Sequence, residues 1–291
     1  MKILLTGASG FLGSYVLNSL LSKGYPVVIL TRNIIENTHP NLMQILVDLK
    51  NFSFVQSIPT DIEIVIHTAQ SNEYASDIDS ADDIFSINVS STFQLINWSF
   101  LNKVKKFIFT STGSVYESSP YKLRENSSCV PNNLYGASKL CAEILLRSFS
   151  KQVDIKVYRI FYLFGNGQKN KLISNMYYNL INSNPITIDS DGGMRFNPLY
   201  VEDCVEIILQ EIEKVSENGY SVFNLAGKEE INLETLVNQL GKIIEHQTTI
   251  RNSNNLPKSF VANTEMLSNY YNTQNFHSIN SALKLSFSST T

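Results

Sequence analysis

The chain has 291 residues, 43% of them apolar and 17% charged, with a formal net charge of −3. That is enough for one large α/β domain with a lobe attached, or for two small domains. It offers no basic face for nucleic acid or an anionic membrane surface, though a few local Arg and Lys suffice for an anionic small molecule. Cys129, Cys141 and Cys204 are far apart and form neither a disulfide framework nor a metal-spaced cluster. His39, His67, His246 and His277 show no metal spacing, so no metal is expected. Only three apolar residues separate Met1-Lys2 from Thr6-Gly7, far short of a signal peptide, and no apolar run approaches bilayer length. The expectation is a cytoplasmic protein.

Lys2 to Thr6 (KILLT) is a short apolar run without alternation, as suits a strand buried on both faces of a parallel sheet. Ser14 to Ser22 reads as a helix closed by Gly24, and Val27 to Thr31 (VVILT) as a second buried strand. Further strands are expected at Gln44–Val47, Ile62–His67, Lys106–Ser111 and Ile155–Ile160, with helices at Asn88–Leu101 and Gly136–Ser150. Alternating strands and helices imply an α/β, doubly wound (Rossmann) parallel sheet.

After about Phe164 the pattern changes. Leu199–Lys214 still reads as a helix and Ser221–Leu225 as a returning strand. The division expected is a dinucleotide-binding domain at 1–164 that also receives about 199–226. A smaller, interleaved substrate lobe takes 165–198 and 227–291. Arg251 to Asn280 is polar, yet Phe260, Met266, Leu267, Tyr270 and Tyr271 argue against a disordered tail.

Gly7-Ala8-Ser9-Gly10-Phe11-Leu12-Gly13 joins the first strand to the first helix. Small residues let the backbone turn sharply and approach a pyrophosphate, and the helix N-terminus offers free N–H groups and a positive dipole end. Three glycines alone are a weak signal; the same glycines opening a β-α-β unit are a strong one. At the end of the second strand an acid would bond the ribose 2′-hydroxyl of NAD, whereas an arginine accepts the 2′-phosphate of NADP. This chain has Thr31-Arg32-Asn33 and no acid until Glu36, which favours NADP (NADPH) over NAD. Asp48, at the end of the third strand, is placed to accept from the adenine amino group, with Leu49 beside it.

Tyr135-Gly136-Ala137-Ser138-Lys139 puts a phenol and an ammonium at i and i+4, on one face of a helix. A free tyrosine titrates near about pH 10, and a neighbouring cation favours the phenolate. Such a tyrosine can exchange a proton with a hydroxyl whose carbon exchanges a hydride with nicotinamide. The pair follows a strand ending in Thr110-Ser111-Thr112, whose hydroxyls point into the crevice where α/β proteins bind ligands.

In these blocks the sequence resembles the extended short-chain dehydrogenase/reductases, the NAD-dependent epimerase/dehydratase group. TGASGFLG at 6–13, VIHTA at 65–69, Asn88 in NVSST, FIFTSTGSVY at 107–116, YGASK at 135–139, YRIFYLFGNGQ at 158–168 and YVED at 200–203 stand in family order. The resemblance runs to about Leu240. It implies that Tyr135 is the acid/base, that Thr112 holds the substrate oxygen and that Lys139 also bonds the nicotinamide ribose. Ala69 and Phe161 are implied to line the cofactor, and Asn88 to support the lysine through water. The family's 4,6-dehydratases follow the threonine with an acidic pair; Gly113-Ser114 stands here, so dehydration ranks low. Tyr162 occupies the place of an asparagine that touches substrate phosphates in many members. Arg195, eight residues before Asp203, approximately matches an arginine that pairs with the substrate diphosphate.

The reading favoured from these departures is NADPH-dependent reduction of a nucleotide-linked 4-keto-6-deoxy sugar, in surface polysaccharide biosynthesis. The alternative is a nucleotide-sugar 4-epimerase with tightly bound NAD. A non-catalytic dinucleotide sensor, or a reductase of a non-sugar ketone, ranks below both. The family often dimerises through the helices carrying Asn88 and Lys139, so a homodimer is expected, with Ile96, Trp98 and Phe100 compatible with that face and equally with plain core.

Overall fold

The computed structural model describes residues 1–71, 80–245 and 249–288. Two compact units are found: one comprises 1–117, 128–159 and 205–223, the other 118–127, 160–204 and 224–288. The first unit is built on β1 (Ile3–Thr6), β2 (Val27–Thr31), β3 (Leu42–Leu46), β4 (Ile64–His67), β5 (Lys106–Thr112) and β6 (Asp154–Ile160). With the returning strand Gly219–Leu225, these form a seven-stranded sheet in the order returning strand–β6–β5–β4–β1–β2–β3. The pairings β1–β2, β1–β4, β2–β3 and β4–β5 are parallel. Every residue of β1, β2, β4 and β5 is buried, which is why these segments read as continuous apolar runs.

The strand order reverses at β1, which lies between β4 and β2. Such a switch point opens a crevice at the carboxyl ends of the strands. The α-helices that lie wholly within this unit, among the described residues, are α1 (Phe11–Ser22), α2 (Ala81–Phe85), α3 (Ser91–Leu101) and α4 (Leu134–Arg147). A π-helical turn, Ser86–Ser90, joins α2 to α3, so this helical stretch begins seven residues before Asn88. α1 starts at Phe11, three residues earlier than the periodicity suggests, because Gly10 takes an extended conformation and serves as its N-cap. Ile96 and Trp98 are buried core, and only Phe100 of the three residues considered for a dimer face is exposed.

In the second unit, Leu199–Tyr200 pairs with Leu163–Phe164, and Arg195–Phe196 lies between Ile231–Asn232 and Ser259–Phe260. The polar 251–280 stretch carries that last strand and a helix, Glu265–Tyr270, with Leu267 and Tyr271 buried. Residues 118–127 group here rather than with the first unit. The Leu123 N–H donates to the Val261 carbonyl, and the Leu123 carbonyl accepts from Asn263 and Asn224. The helix Val201–Glu213 divides at Val205, so its first turn groups with this unit.

At the amino end of β5 the sheet buries a cation. Lys106 has no exposed surface and pairs with the buried Glu211 at 2.7 Å, while its ammonium also donates to the carbonyls of Glu211 and Lys214 at 2.5 and 3.0 Å. Truncating one partner of a buried pair strands the other charge, at a cost of about 3–5 kcal/mol. Glu211→Ala should therefore lower the unfolding free energy by about 3 kcal/mol in urea titrations. The double change Lys106→Met with Glu211→Leu should recover most of that loss, and a double variant no better than the single one would contradict this account.

Candidate active site

The glycine loop sits where β1 meets β4. The Gly10 N–H donates to the Gly7 carbonyl at 2.9 Å, closing a tight turn, and Gly7 takes a φ of 77°, the left-handed region glycine favours. A Cβ on Gly13 would lie 2.0 Å from the Gly7 carbonyl oxygen; one on Gly7 would lie 2.6 Å from the Ala69 nitrogen. Both positions exclude any side chain. Gly10 gives α1 no side-chain cap, so backbone donors of the first turn remain available to an anion. Ser9 is exposed, Phe11 and Leu12 half-buried. The Thr68 hydroxyl donates to the Thr6 carbonyl at 2.7 Å, tying the end of β4 to the end of β1 and carrying Ala69 past the loop.

α4 carries Tyr135 and Lys139, the pair expected to be catalytic. The Asn133 side chain caps it, accepting from the Gly136 N–H at 2.7 Å. Gly136 is needed because a Cβ there would lie 2.2 Å from the Ser114 carbonyl oxygen. That approach sets Tyr135 against the turn Gly113–Val115, where the Thr112 hydroxyl accepts from the Ser114 N–H at 3.1 Å. The phenol of Tyr135 donates to Gln70 Oε1 at 2.8 Å. One turn further along α4, Lys139 is fully buried. Its ammonium lies 4.1 Å from the Phe109 ring centroid and has no hydrogen-bond partner among the described residues.

Burial drives the Lys139 pKa down to about 7, with the Glu143 carboxylate pulling weakly the other way. His67 is buried between the hydroxyls of Thr6 and Thr92, at 2.6 and 2.9 Å, and burial pushes its pKa down to about 3. It is therefore a neutral imidazole locked in the core. Thr110 spends its hydroxyl on the His67 carbonyl at 3.3 Å.

Asn88 falls in the π-helical turn, where the widened backbone re-aims its side chain. Its amide accepts from the Ser71 N–H at 2.8 Å and donates to the Ser138 hydroxyl at 2.9 Å. The Ser71 hydroxyl in turn donates to Asp83 at 2.5 Å, and Asp83 pairs with Lys50. A polar chain thus runs from the end of β3 to the residue beside Lys139. Sequence reasoning singled out Asn88 but missed Gln70, Ser71, Asp83 and Lys50. Gln70 directly follows Ala69, and Lys50 follows Asp48-Leu49, so both stood next to residues already chosen.

Arg32 and Asp48 are exposed; Asp48 accepts from the Lys50 N–H at 3.0 Å. Lys50 is held charged, first by its hydrogen bond to Asp83, and Arg32 is near enough to oppose that. Two cations, Arg32 and Lys50, therefore stand at the ends of β2 and β3.

Phe161, Tyr162 and Arg195 belong to the second unit. Phe161 is buried against Phe260, ring centroids 5.3 Å apart. Tyr162 has a φ of 39°, unusual for a bulky residue. Its hydroxyl donates to the Met194 sulfur at 3.4 Å, its ring meets Phe196 and Phe260, and burial raises its pKa to about 12. Arg195 is exposed and already paired with Glu230, which Lys122 also reaches at 3.2 Å. Asp203 of the YVED block accepts from the main chain and ring of His277, the ring at 2.7 Å. Of the histidines considered for a metal, His246 lies outside the described residues.

These residues fit a dinucleotide. The glycine cradle leaves room only for backbone beside a pyrophosphate, and Lys139 carries buried donors with no acceptor among the described residues, as a ribose diol would supply. The ammonium also costs stability. Between about pH 7 and 10.5 the unfolded chain binds more protons at this site than the folded one, so stability rises with pH across that window. Lys139→Met should therefore stabilise the nucleotide-free protein near pH 7 by on the order of 1–3 kcal/mol, with a smaller gain near pH 9.5. Urea midpoints at the two pH values test this; a gain that grows with pH would refute it.

Residues 3–226 match the model of the NAD dependent epimerase/dehydratase family. The Bacillus subtilis protein named uncharacterized UDP-glucose epimerase YtcB is 26% identical over 88% of this chain and 86% of its own length. Mouse dTDP-D-glucose 4,6-dehydratase is 28% identical over 84% of this chain and 73% of its own. The structure of UDP-glucuronic acid 4-epimerase from Bacillus cereus, in complex with UDP-glucuronic acid and NAD, superimposes with a TM-score of 0.86. It is 26% identical and covers 98% of this chain and 97% of its own. The chain is an enzyme of the NAD-dependent epimerase/dehydratase family.

Proposed function

We propose that this protein is a nucleotide-sugar 4-epimerase that retains NAD. The observation carrying this reading is the similarity to UDP-sugar 4-epimerases, in a chain that keeps Thr112, Tyr135 and Lys139 and has Gly113-Ser114 directly after the threonine. Elimination of water needs an acid and a base beside the threonine, and a glycine and a serine supply neither. The similarities support epimerisation over the NADPH-consuming keto-sugar reduction that Arg32, Gly113-Ser114 and the intact Thr112, Tyr135 and Lys139 set suggest in the sequence.

A bound nicotinamide dinucleotide supplies a hydride acceptor and donor at the sugar carbon. Tyr135 takes the proton from the 4-hydroxyl and later returns it to the same oxygen. Thr112 fixes that oxygen through its hydroxyl. Lys139 holds the nicotinamide ribose with its unpaired donors and, when charged, favours the phenolate. The main chain at Gly7, Gly10 and Gly13 binds the pyrophosphate, and Ala69 closes one wall. A second copy of the chain packs on α3 and α4, whose Phe93, Phe100 and Ile144 are 40%, 41% and 63% exposed. No helix among the described residues is long and apolar enough to cross a membrane, and we place the enzyme in the cytoplasm.

Nucleotide released on denaturing the purified protein should be NAD, and the protein should interconvert a UDP-hexose with its C4 epimer without added cofactor. Stoichiometric consumption of NADPH with a 4-keto sugar would replace this reading with the reductase. Tyr135→Phe should reduce turnover by about 10²–10⁴-fold with the nucleotide still bound.

The reductase remains the second reading because Arg32 and Lys50 crowd two cations where a 2′-phosphate would lie, with no acid at the end of β2. If that phosphate is bound there, Arg32→Ala should weaken NADPH by about tenfold or more while sparing NADH. Equal losses for both would remove the case for NADP.

A further inference from the structure

The phenol of Tyr135 has one proton, and that proton goes to Gln70 Oε1 at 2.8 Å. Gln70 is not a loose surface side chain. Before it, the Thr68 hydroxyl and the Ala69 N–H are tied to Thr6 at 2.7 and 3.3 Å. After it, the Ser71 N–H donates to Asn88 at 2.8 Å and the Ser71 hydroxyl to Asp83 at 2.5 Å. The main chain is pinned on both sides, so a half-buried amide is delivered to the phenol by a fixed frame.

We propose that Gln70 is a positioning residue for the proton step: it holds Tyr135 as an oriented, neutral phenol in the free protein, which releases that proton to solvent as the phenolate before it takes the proton of the substrate hydroxyl, whose oxygen then takes the place of Gln70. The amide oxygen is a pure acceptor, and an acceptor bonded to O–H favours the protonated form. It occupies the position from which a sugar oxygen would accept the same proton, so Gln70 competes with substrate while keeping the ring aimed. This inference rests on Tyr135 being the proton carrier, as proposed above.

The other titratable groups on the surrounding described elements have their own constraints. Lys139, one turn along α4, has a pKa lowered to about 7 by burial. Glu143, a further turn along, is bound by Arg159 through both carboxylate oxygens. His67 of β4 is neutral, and Asp83 of α2 is paired with Lys50. Gln70 is the described group in direct hydrogen-bond contact with the phenol whose removal changes no charge.

The test is a phenolate absorbance titration of nucleotide-stripped protein, with the same titration of the Tyr135→Phe counterpart subtracted to remove the other tyrosines. Gln70→Leu should move the Tyr135 midpoint down by about one pH unit, a tenfold gain in phenolate at a given pH. Gln70→Glu, which places a carboxylate acceptor at the same site, should move it up. The acid limb of kcat/KM should follow the same directions. An unmoved midpoint in both variants, or an upward shift in Gln70→Leu, as an amide donating its N–H would give, overturns the assignment. Should Gln70→Leu fail to fold, Gln70→Glu alone decides by direction. The titration needs no sugar: shifted midpoints without epimerisation would sink the 4-epimerase reading alone, and epimerisation with unshifted midpoints would sink this one alone.

Discussion

The structure depends on one costly placement, a buried lysine ammonium, that of Lys139, with no hydrogen-bond partner among the described residues. Burying an unpaired cation opposes folding, and the fold keeps it by making the surrounding backbone unable to relax. The Asn133 cap fixes the start of α4, Gly136 brings that start onto the Ser114 carbonyl, and Asn88 ties Ser138 to the loop after β4. Each contact holds α4 where Lys139 must remain dry. A ribose diol, as proposed for the nicotinamide dinucleotide, would supply the oxygen acceptors that the described residues do not, and the fixed frame would hold the ammonium ready for it.

The second constraint is steric and comes from the strand order. β1 and β4 are neighbours, so the turn after β1 and the turn after β4 must pass each other within van der Waals distance. Gly7 and Gly13 follow from that crowding. The same neighbourhood lets Thr6 hold Thr68, Ala69 and His67 at once. The tight glycine turn, the proposed pyrophosphate cradle, and a rigid mount for Gln70 are thus two results of one packing arrangement.

What was legible in the sequence follows from range. The buried strands were plain because an apolar run needs no knowledge of its neighbours, and Tyr135 with Lys139 because i, i+4 spacing fixes a shared helix face. The π-helical turn at 86–90 left no local signature, since it depends on Asn88 reaching Ser71 and Ser138 across the fold. Arg195 was taken for a diphosphate partner by its distance from Asp203. Its pairing with Glu230 arises from an antiparallel contact between 195–196 and 231–232, which no spacing rule reveals. Ile96 and Trp98 fit a dimer face and plain core equally by sequence, and packing against the sheet decides for core. Residues 118–127 followed the dinucleotide-binding segment in order, but backbone pairing to 261–263 decided their unit.

The buried Glu143 shows how the site avoids defeating itself. It stands one turn beyond Lys139 on the buried side of α4, where a free carboxylate would seize the ammonium. Arg159 prevents this by binding the carboxylate through Nε at 3.1 and 3.2 Å and through a second nitrogen at 2.6 Å, while the Ser111 hydroxyl donates to the remaining lone pairs. Arg159 in turn donates to the Tyr116 hydroxyl at 2.5 Å. With its acceptors occupied, Glu143 exerts only a secondary pull on Lys139, and burial dominates that lysine's titration. Arg159 thus satisfies the carboxylate one turn from Lys139, whose ammonium has no hydrogen-bond partner among the described residues and would keep its donors for the proposed nucleotide.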